Sequence, residues 1–239
     1  MQKEYLKGER GNRLNPKRIH TRYWILKSLT ENLVKILEQQ FEQKKNVLDY
    51  GCGNKPYKDL FINVFSEYIG ADLLGNELAD IIINTDGTLP LQNESFSCVL
   101  SSQVLEHVEN PNLYLSEAYR ILKIGGKLIL STHGFWPYHP DPNDYWRWTS
   151  TGLKKIIEDA GFSIENMYSA LSLPTISIQF WQDSTLNKIP RFLRKIYILV
   201  NQSLMEFIDK KQGNRFNENA AVFIVVAKKY NDKPKTKNN

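Results

Sequence analysis

The sequence predicts an α/β protein in which a largely parallel sheet is covered by helices on both faces. Three observations carry this. Short segments rich in Val, Ile and Leu alternate with segments whose apolar residues recur every three or four positions, as strands and helices do in turn. The first strand runs straight into two glycines one residue apart, in "VLDYGCGN", which is a sharp turn from strand to helix. The length of 239 residues, with 41% hydrophobic and 24% charged composition, suffices for one sizeable core.

In chain order, Ile25, Leu29, Leu33, Ile36 and Leu37 recur at helical spacing and predict a helix from Thr21 to Gln43. "NVLDY", "YIGAD", "DIIIN", "SCVLSS", "KLILST" and "AVFIVVAKK" are predicted as strands, with a further strand near Ser163–Ser169. Between them "YKDLFINVF", "NLYLSEAYRIL" and "STGLKKIIEDAG" are predicted as helices, the last with a Ser/Thr start and a Gly stop. Ligands of such sheets sit outside the carboxyl ends of the strands.

Charge argues against nucleic acid. The net charge is +5, but residues 1–22 carry +5 and residues 228–239 carry +4, so the body between them is at −4. That is not a phosphate-tracking surface. Two cysteines, Cys52 and Cys98, are too few for a disulfide framework and fit a reducing compartment. The polar start and the lack of a run of roughly 20 apolar residues predict a cytoplasmic protein.

The glycine turn suits a nucleotide-like ligand, because glycine lets backbone approach closely and the next helix offers free N–H groups. Two nucleotide classes lose ground. Pro56 stands where a dinucleotide fingerprint has its third glycine, and no Gly-Lys-Ser/Thr ending marks a phosphate-binding loop. Asp49 precedes the glycines, Asp72 closes the second strand, where a carboxylate can accept both hydroxyls of a ribose, and Asp86 with Gly87 follows the third. Three acids at adjacent strand ends suit a ligand with ribose hydroxyls, an amine and positive charge, and repel a pyrophosphate.

From about Val47 to about Glu165 the chain resembles the class I methyltransferases that use S-adenosylmethionine, in particular the type-11 domain group. The resemblance runs through "VLDYGCG", "GADLLG", "TDGTLPLQNESFSCVLSSQVLEHVENP", "LSEAYRILKIGGKLILST" and "WRWTSTGLKKIIEDAGF". It implies a Rossmann-like doubly wound sheet of order 3-2-1-4-5-7-6 with a final antiparallel strand. It also implies that Gly51, Cys52 and Gly53 line the methionine part of S-adenosylmethionine, with Asp49 stabilising the loop and the amino group. Asp72, with Leu73 after it, would hold the ribose. Asp86 and Gly87 would face the adenine, and Ser101, Ser102 and Gln103 would close the pocket.

Two departures stand out. Ser97 replaces the family's usual Asp, which predicts a local rearrangement. Some fifty residues separate the sixth strand from the last, where the family has a short hairpin. The expected organisation is an N-terminal helical extension over 1–45, a methyltransferase domain over 46–169 and 220–230, a helical insertion or lid over 170–219, and a disordered tail over 231–239.

"HGFWPYHPDPNDYWRWT", from His133 to Thr149, has neither strand nor helix periodicity and should fold as a loop over the pocket mouth. A sulfonium is already an activated methyl donor, so the protein mainly aligns an acceptor and excludes water. Trp136, Tyr138, Tyr145 and Trp146, with Trp148 beyond them, are candidate surfaces for a cation or a sugar. Trp146 and Trp148 are equally readable as core aromatics. Arg147 either pairs with Asp144 or binds an acidic acceptor. An acceptor hydroxyl needs a base, and His133, His139 or Asp144 can supply it, His133 first because it lies nearest the strand end.

No metal site is expected. The spacing of His133, His139, Asp141 and Asp144 is irregular, and Glu106 and His107 lack the further Glu that cation-assisted relatives carry where this chain has Gln103. Residues 187–211 form a basic amphipathic segment that suits either a lid or dimer surface, or peripheral contact with anionic lipid. The expected protein is a monomer or homodimer that methylates an oxygen or nitrogen of a small molecule, with a saccharide or surface-polysaccharide precursor as acceptor. A non-catalytic binding module and a nucleic-acid or protein methyltransferase are the competing readings.

Overall fold

The computed structural model describes residues 13–41, 44–213 and 215–231. Most of the tail at 231–239, and the basic stretch 1–12, lie outside the described residues. Helix α1 (Tyr23–Gln40) leads into strand β1 (Lys44–Tyr50), the short helix α2 (Lys58–Phe61) and strands β2 (Phe65–Asp72), β3 (Ile81–Ile82) and β4 (Phe96–Ser102). Helix α3 (Pro111–Ile121), strand β5 (Leu122–His133), helix α4 (Ser150–Asp159) and strand β6 (Ser163–Ala170) follow. Helices α5 (Leu173–Thr185) and α6 (Arg194–Gln212) precede strand β7 (Val222–Lys228).

The seven strands form one sheet of order β3-β2-β1-β4-β5-β7-β6, the order the sequence resemblance implies. All pairs from β3 to β5 are parallel, and β7 runs antiparallel to both β5 and β6. Successive strand residues face opposite sides, so the sheet feeds two cores. Val47, Cys98, Leu100, Ile129, Ile224 and Val226 point to the side covered by Leu33, Ile36 and Leu37 of α1. Leu48, Val99, Leu128, Leu130 and Val225 point to the side of Leu115 and Ala118 of α3 and Leu153 of α4.

Local chemistry sets the ends. Asn110 caps α3 by accepting from Leu113 N, with Pro111 at the first position, and Thr149 caps α4 by accepting from Gly152 N. Gly161 ends the turn after α4 at φ 101°, a conformation that favours glycine.

Three expected elements are shorter than the sequence suggests. The helix expected over "YKDLFINVF" is only Lys58–Phe61, because Phe65 already pairs with the start of β1 and its ring stacks on Phe61 at 5.9 Å. The third strand is two residues at the sheet edge, where Asp80 is held by Gly70 N and Lys55. Helix α6 begins at Arg194, since Pro190 and a 3-10 turn over Arg191–Leu193 interrupt the segment before it.

The missing carboxylate at Ser97 is met from β1. Asn46 Oδ1 accepts from Ser97 N at 3.0 Å and its amide donates to Ser95 O, beside a register shift between Phe96 and Cys98.

Helices α1, α5 and α6 share one layer. Three glutamines, Gln179, Gln182 and Gln202, donate to Thr21 O, and Gln202 also accepts from Trp24 N. Arg22 pairs with Asp183 at 2.6 Å and Lys27 with Glu206 at 2.9 Å. Among the described residues no helix is long and apolar enough to cross a membrane.

Candidate functional site

The carboxyl ends of β1, β2, β4 and β5 lie side by side, and the residues picked out from sequence cluster there. Gly51 has φ 81°, and a Cβ on it would come 2.6 Å from the Val104 side chain, so only glycine fits. Gly53 follows at φ 52° with open space around it.

Asp72 braces this turn. Its Oδ2 accepts from Gly53 N and from Asn76 Nδ2, both at 2.7 Å, and its Oδ1 accepts from Leu73 N at 2.8 Å. A carboxylate has about four acceptor positions, so roughly one remains for a ligand hydroxyl unless Asn76 yields its place. Asn76, which also donates to Gly53 O, carries no motif that would have marked it.

Asp49 is buried and accepts the Tyr68 hydroxyl. Burial pushes its pKa up to about 7, the Tyr68 hydrogen bond opposing and Asp72 adding to the rise. Cys52 is also buried, with a thiol pushed up to about 12, so it contributes backbone and shape, not a thiolate. Leu73 is exposed at the rim.

Asp86 is exposed and closes a turn, with Oδ1 accepting from Thr88 Oγ1 at 2.7 Å and Thr88 N at 2.9 Å. Those bonds, the hydroxyl's first, hold its pKa below the usual carboxylate value. Gly87 adjoins it at φ 86°. The Ser101 side chain is fully buried against Tyr114, whose hydroxyl lies 2.8 Å from its Oγ, so Ser101 can offer a ligand only its backbone. Ser102 Oγ lies 3.1 Å from Ser131 Oγ. Gln103, at φ 58°, ties to β5 through its N to Ser131 O and its amide to Ser131 Oγ.

The loop after β5 is irregular, as expected, and Arg147 organises it. All five of its N–H donors are engaged within the loop: two on the Asp144 carboxylate at 2.6 and 2.5 Å, the others on the carbonyls of Trp136, Pro137 and Trp146. Arg147 therefore has no fork left for an acidic acceptor. Asp144, paired with it and also accepting from His139 N, has its pKa lowered to about 2 against the opposing effect of burial, so its expected role as a base is corrected to a brace. Backbone bonds from Tyr145 N and Trp146 N to Glu106 O, and from Trp148 N to His133 O, strap the loop down.

The aromatics divide. Trp136 stacks on His133 at 5.1 Å, with the Arg22 guanidinium 5.0 Å from its ring, so it belongs to the wall between loop and helical layer. Trp148 packs against the core under Trp146 at 5.7 Å. Tyr138, 76% exposed, and Tyr145 and Trp146 are turned outward.

His133 is buried, with Nε2 3.5 Å from Glu106 Oε1, and His139 packs edge-on against it at 4.9 Å and against His107 at 5.0 Å. Burial, aided by the neighbouring imidazoles, lowers the pKa of both His133 and His139, so they are neutral near pH 7. Glu106 is fully enclosed and burial raises its pKa; its Oε2 accepts from Thr132 Oγ1 at 2.8 Å. Gln103 stands where cation-assisted relatives carry a Glu, yet β5 and the loop bring Glu106 two histidines that are distant along the chain.

Residues 21–167 match the family described as "Methyltransferase domain". Among curated relatives, the Mycolicibacterium smegmatis protein named "Probable S-adenosylmethionine-dependent methyltransferase" is 28% identical over 51% of this chain and 53% of its own. A ubiquinone biosynthesis O-methyltransferase of Cereibacter sphaeroides is 33% identical over 36% of this chain and 40% of its own. The chain thus spans about half or less of these relatives' length. A Haemonchus contortus phosphoethanolamine N-methyltransferase 2 solved with S-adenosyl-L-methionine shares the fold at TM-score 0.53 and 17% identity, covering 83% of this chain and 52% of that one.

Proposed function

Because the chain belongs to the methyltransferase-domain family, with S-adenosylmethionine as its cofactor, we propose that it methylates an oxygen or nitrogen of a small polar acceptor, specifically a saccharide or surface-polysaccharide precursor. The observation that carries the acceptor class is the outward set of Tyr138, Tyr145 and Trp146 on a loop that Arg147 holds rigid at the carboxyl edge of the sheet. Flat aromatic faces bind sugar rings and partly hydrophobic polar molecules, and a braced loop loses little entropy on doing so.

The residues present fit the cofactor. Gly51 allows the left-handed turn that presents Gly53, which is open to its methionine part, Asp72 supplies negative charge and a hydroxyl acceptor, exposed Leu73 offers an apolar face, and Asp86, exposed beside Gly87, is the acceptor we assign to the adenine amine. When bound, the sulfonium supplies an activated methyl group. The chain's own part is to orient the acceptor, exclude water through the loop and provide neutral His133 or His139 to receive a proton. Incubating the protein with methyl-labelled S-adenosylmethionine and pools of sugar nucleotides and polysaccharide precursors should yield labelled saccharide by mass spectrometry. Label appearing only in non-saccharide amines would overturn the acceptor class.

A peripheral contact with anionic lipid is part of the same proposal. Its support is the apolar outer face of α6: the helix buries Ile198 and Met205 together with Asn201, Gln202 and Glu206, and leaves Ile196, Leu199, Val200, Leu204 and Phe207 exposed. Phe192, 80% exposed, and Trp181 extend the apolar surface, and Lys188, Arg191, Lys195 and Lys211 are exposed around it.

A further inference from the structure

We propose that Glu106, His133 and His139 form a binding site for one divalent transition-metal cation of the zinc, manganese or iron(II) kind. The three residues come from the 3-10 turn Leu105–His107, the end of β5 and the loop after it, and one ligand atom from each lies within 4.8 Å of the others.

The first support is an oxygen without a partner. Glu106 is fully enclosed, its Oε2 takes the Thr132 hydroxyl, and its Oε1 has no hydrogen bond. A buried carboxylate oxygen left bare costs free energy that a cation would offset. Spacing is the second. Glu106 Oε1 and His133 Nε2 are 3.5 Å apart, too far for a good hydrogen bond. Two donors of one ion at bond lengths of about 2.0–2.2 Å lie roughly 3–3.5 Å apart, which is this separation. A modest closing of the loop then brings in His139, which is half-buried and leaves the site an open side for entry.

The rings of His133 and His139 are placed by packing: His133 stacks on Trp136 and meets His139 edge-on, while His139 Nδ1 is 3.5 Å from both Asp144 Oδ2 and the Arg147 guanidinium, too far to fix its proton. His107 Nδ1 contacts the Asn143 carbonyl; with the proton on that nitrogen, the lone pair of Nε2 is left 4.0 Å from Glu106 Oε1, as a neighbouring fourth donor. A partner on one ring nitrogen that frees the other is how metal-bound imidazoles are usually oriented. Two imidazoles and one carboxylate with coordination positions to spare favour transition metals over magnesium or calcium. The ion would stand beside the loop that carries Tyr138 and Tyr145. With the ion bound, the lone pairs of His133 and His139 are taken, so the ion would hold and acidify an acceptor hydroxyl in place of the proton-accepting role given to those imidazoles; that role rests on the methyl-transfer reading, whereas the ion site itself does not.

The test is a calorimetric titration of chelator-stripped full-length protein with Zn²⁺, repeated with Co²⁺ and read by visible absorption. One ion per chain is expected. Glu106→Gln, which keeps the side-chain shape and the Thr132 contact, and His133→Ala should each weaken it by more than about 100-fold, beyond the loss seen for outer partners of metal ligands. No binding at millimolar Zn²⁺, or binding that Glu106→Gln does not weaken, overturns the site. S-adenosylmethionine affinity measured in chelator separates the two readings: intact cofactor binding without zinc binding sinks the metal alone, and zinc binding without cofactor binding sinks the methyltransferase reading alone.

Discussion

Asp49 is a carboxylate whose charge the fold opposes, since burial raises its pKa from the ordinary 3.8 to about 7. Between those values the native state holds a proton that the unfolded chain releases. Its contribution to stability is therefore complete below pH 3.8, declines as pH rises toward 7 and is flat above. Asp49→Asn should remove that decline and gain about 2–4 kcal/mol over the parent between pH 4 and pH 7.5 in thermal melts. A difference that stays constant across that range would show that another group titrates. At Gly51 the prediction is steric: Gly51→Val must meet Val104 in a left-handed backbone, so S-adenosylmethionine binding by calorimetry should fall by at least about 100-fold, and Asp72→Ala should weaken it comparably. Equal affinity in both variants would refute the pocket. These residues were legible because a glycine or an acid at a strand end has few reasons to be there. Tyr68, Asn76 and Val104 were not, because their roles exist only across strands and loops.

The loop from His133 to Thr149 and helix α6 are elements whose properties come from what they touch. Arg147→Ala removes five hydrogen bonds, two of them to Asp144, and leaves that buried carboxylate side chain with only the His139 N–H. It should free the loop in hydrogen exchange over residues 136–147 and cut kcat/KM by about 100-fold, with cofactor affinity held within about twofold. Cofactor loss of the same size would mean that the loop supports the whole pocket and not the acceptor side. For α6, the double variant Ile196→Glu with Phe207→Glu should abolish cosedimentation with anionic vesicles while leaving the melting temperature within a few degrees, because both side chains are exposed. Sedimentation that persists in this variant would remove the lipid contact. Periodicity revealed that residues 187–211 were amphipathic and basic. It could not say which face pointed inward, and the structure turns in a mixed one, Ile198 and Met205 with Asn201, Gln202 and Glu206.

At the scale of the molecule, the helical layer of α1, α5 and α6 is joined to the sheet through one core that includes Leu33, Ile36, Val47, Met205 and Ile224. Leu33→Ala, at a fully buried position, should cost about 3 kcal/mol in denaturant unfolding and lower the stability of the helical layer and the sheet together. Two separated transitions would show that the layer folds on its own. The alternation of strand and helix, the glycine turn and the acids behind it were determined by the sequence alone, since each depends on residues within one turn or one strand. The tertiary structure alone decided that Asn46 meets Ser97, that Ser101 faces the core against Tyr114, and that Glu106 meets His133 and His139. Those outcomes depend on which segments far apart in the chain are brought within a few ångströms of one another, and neither spacing nor composition encodes that distance.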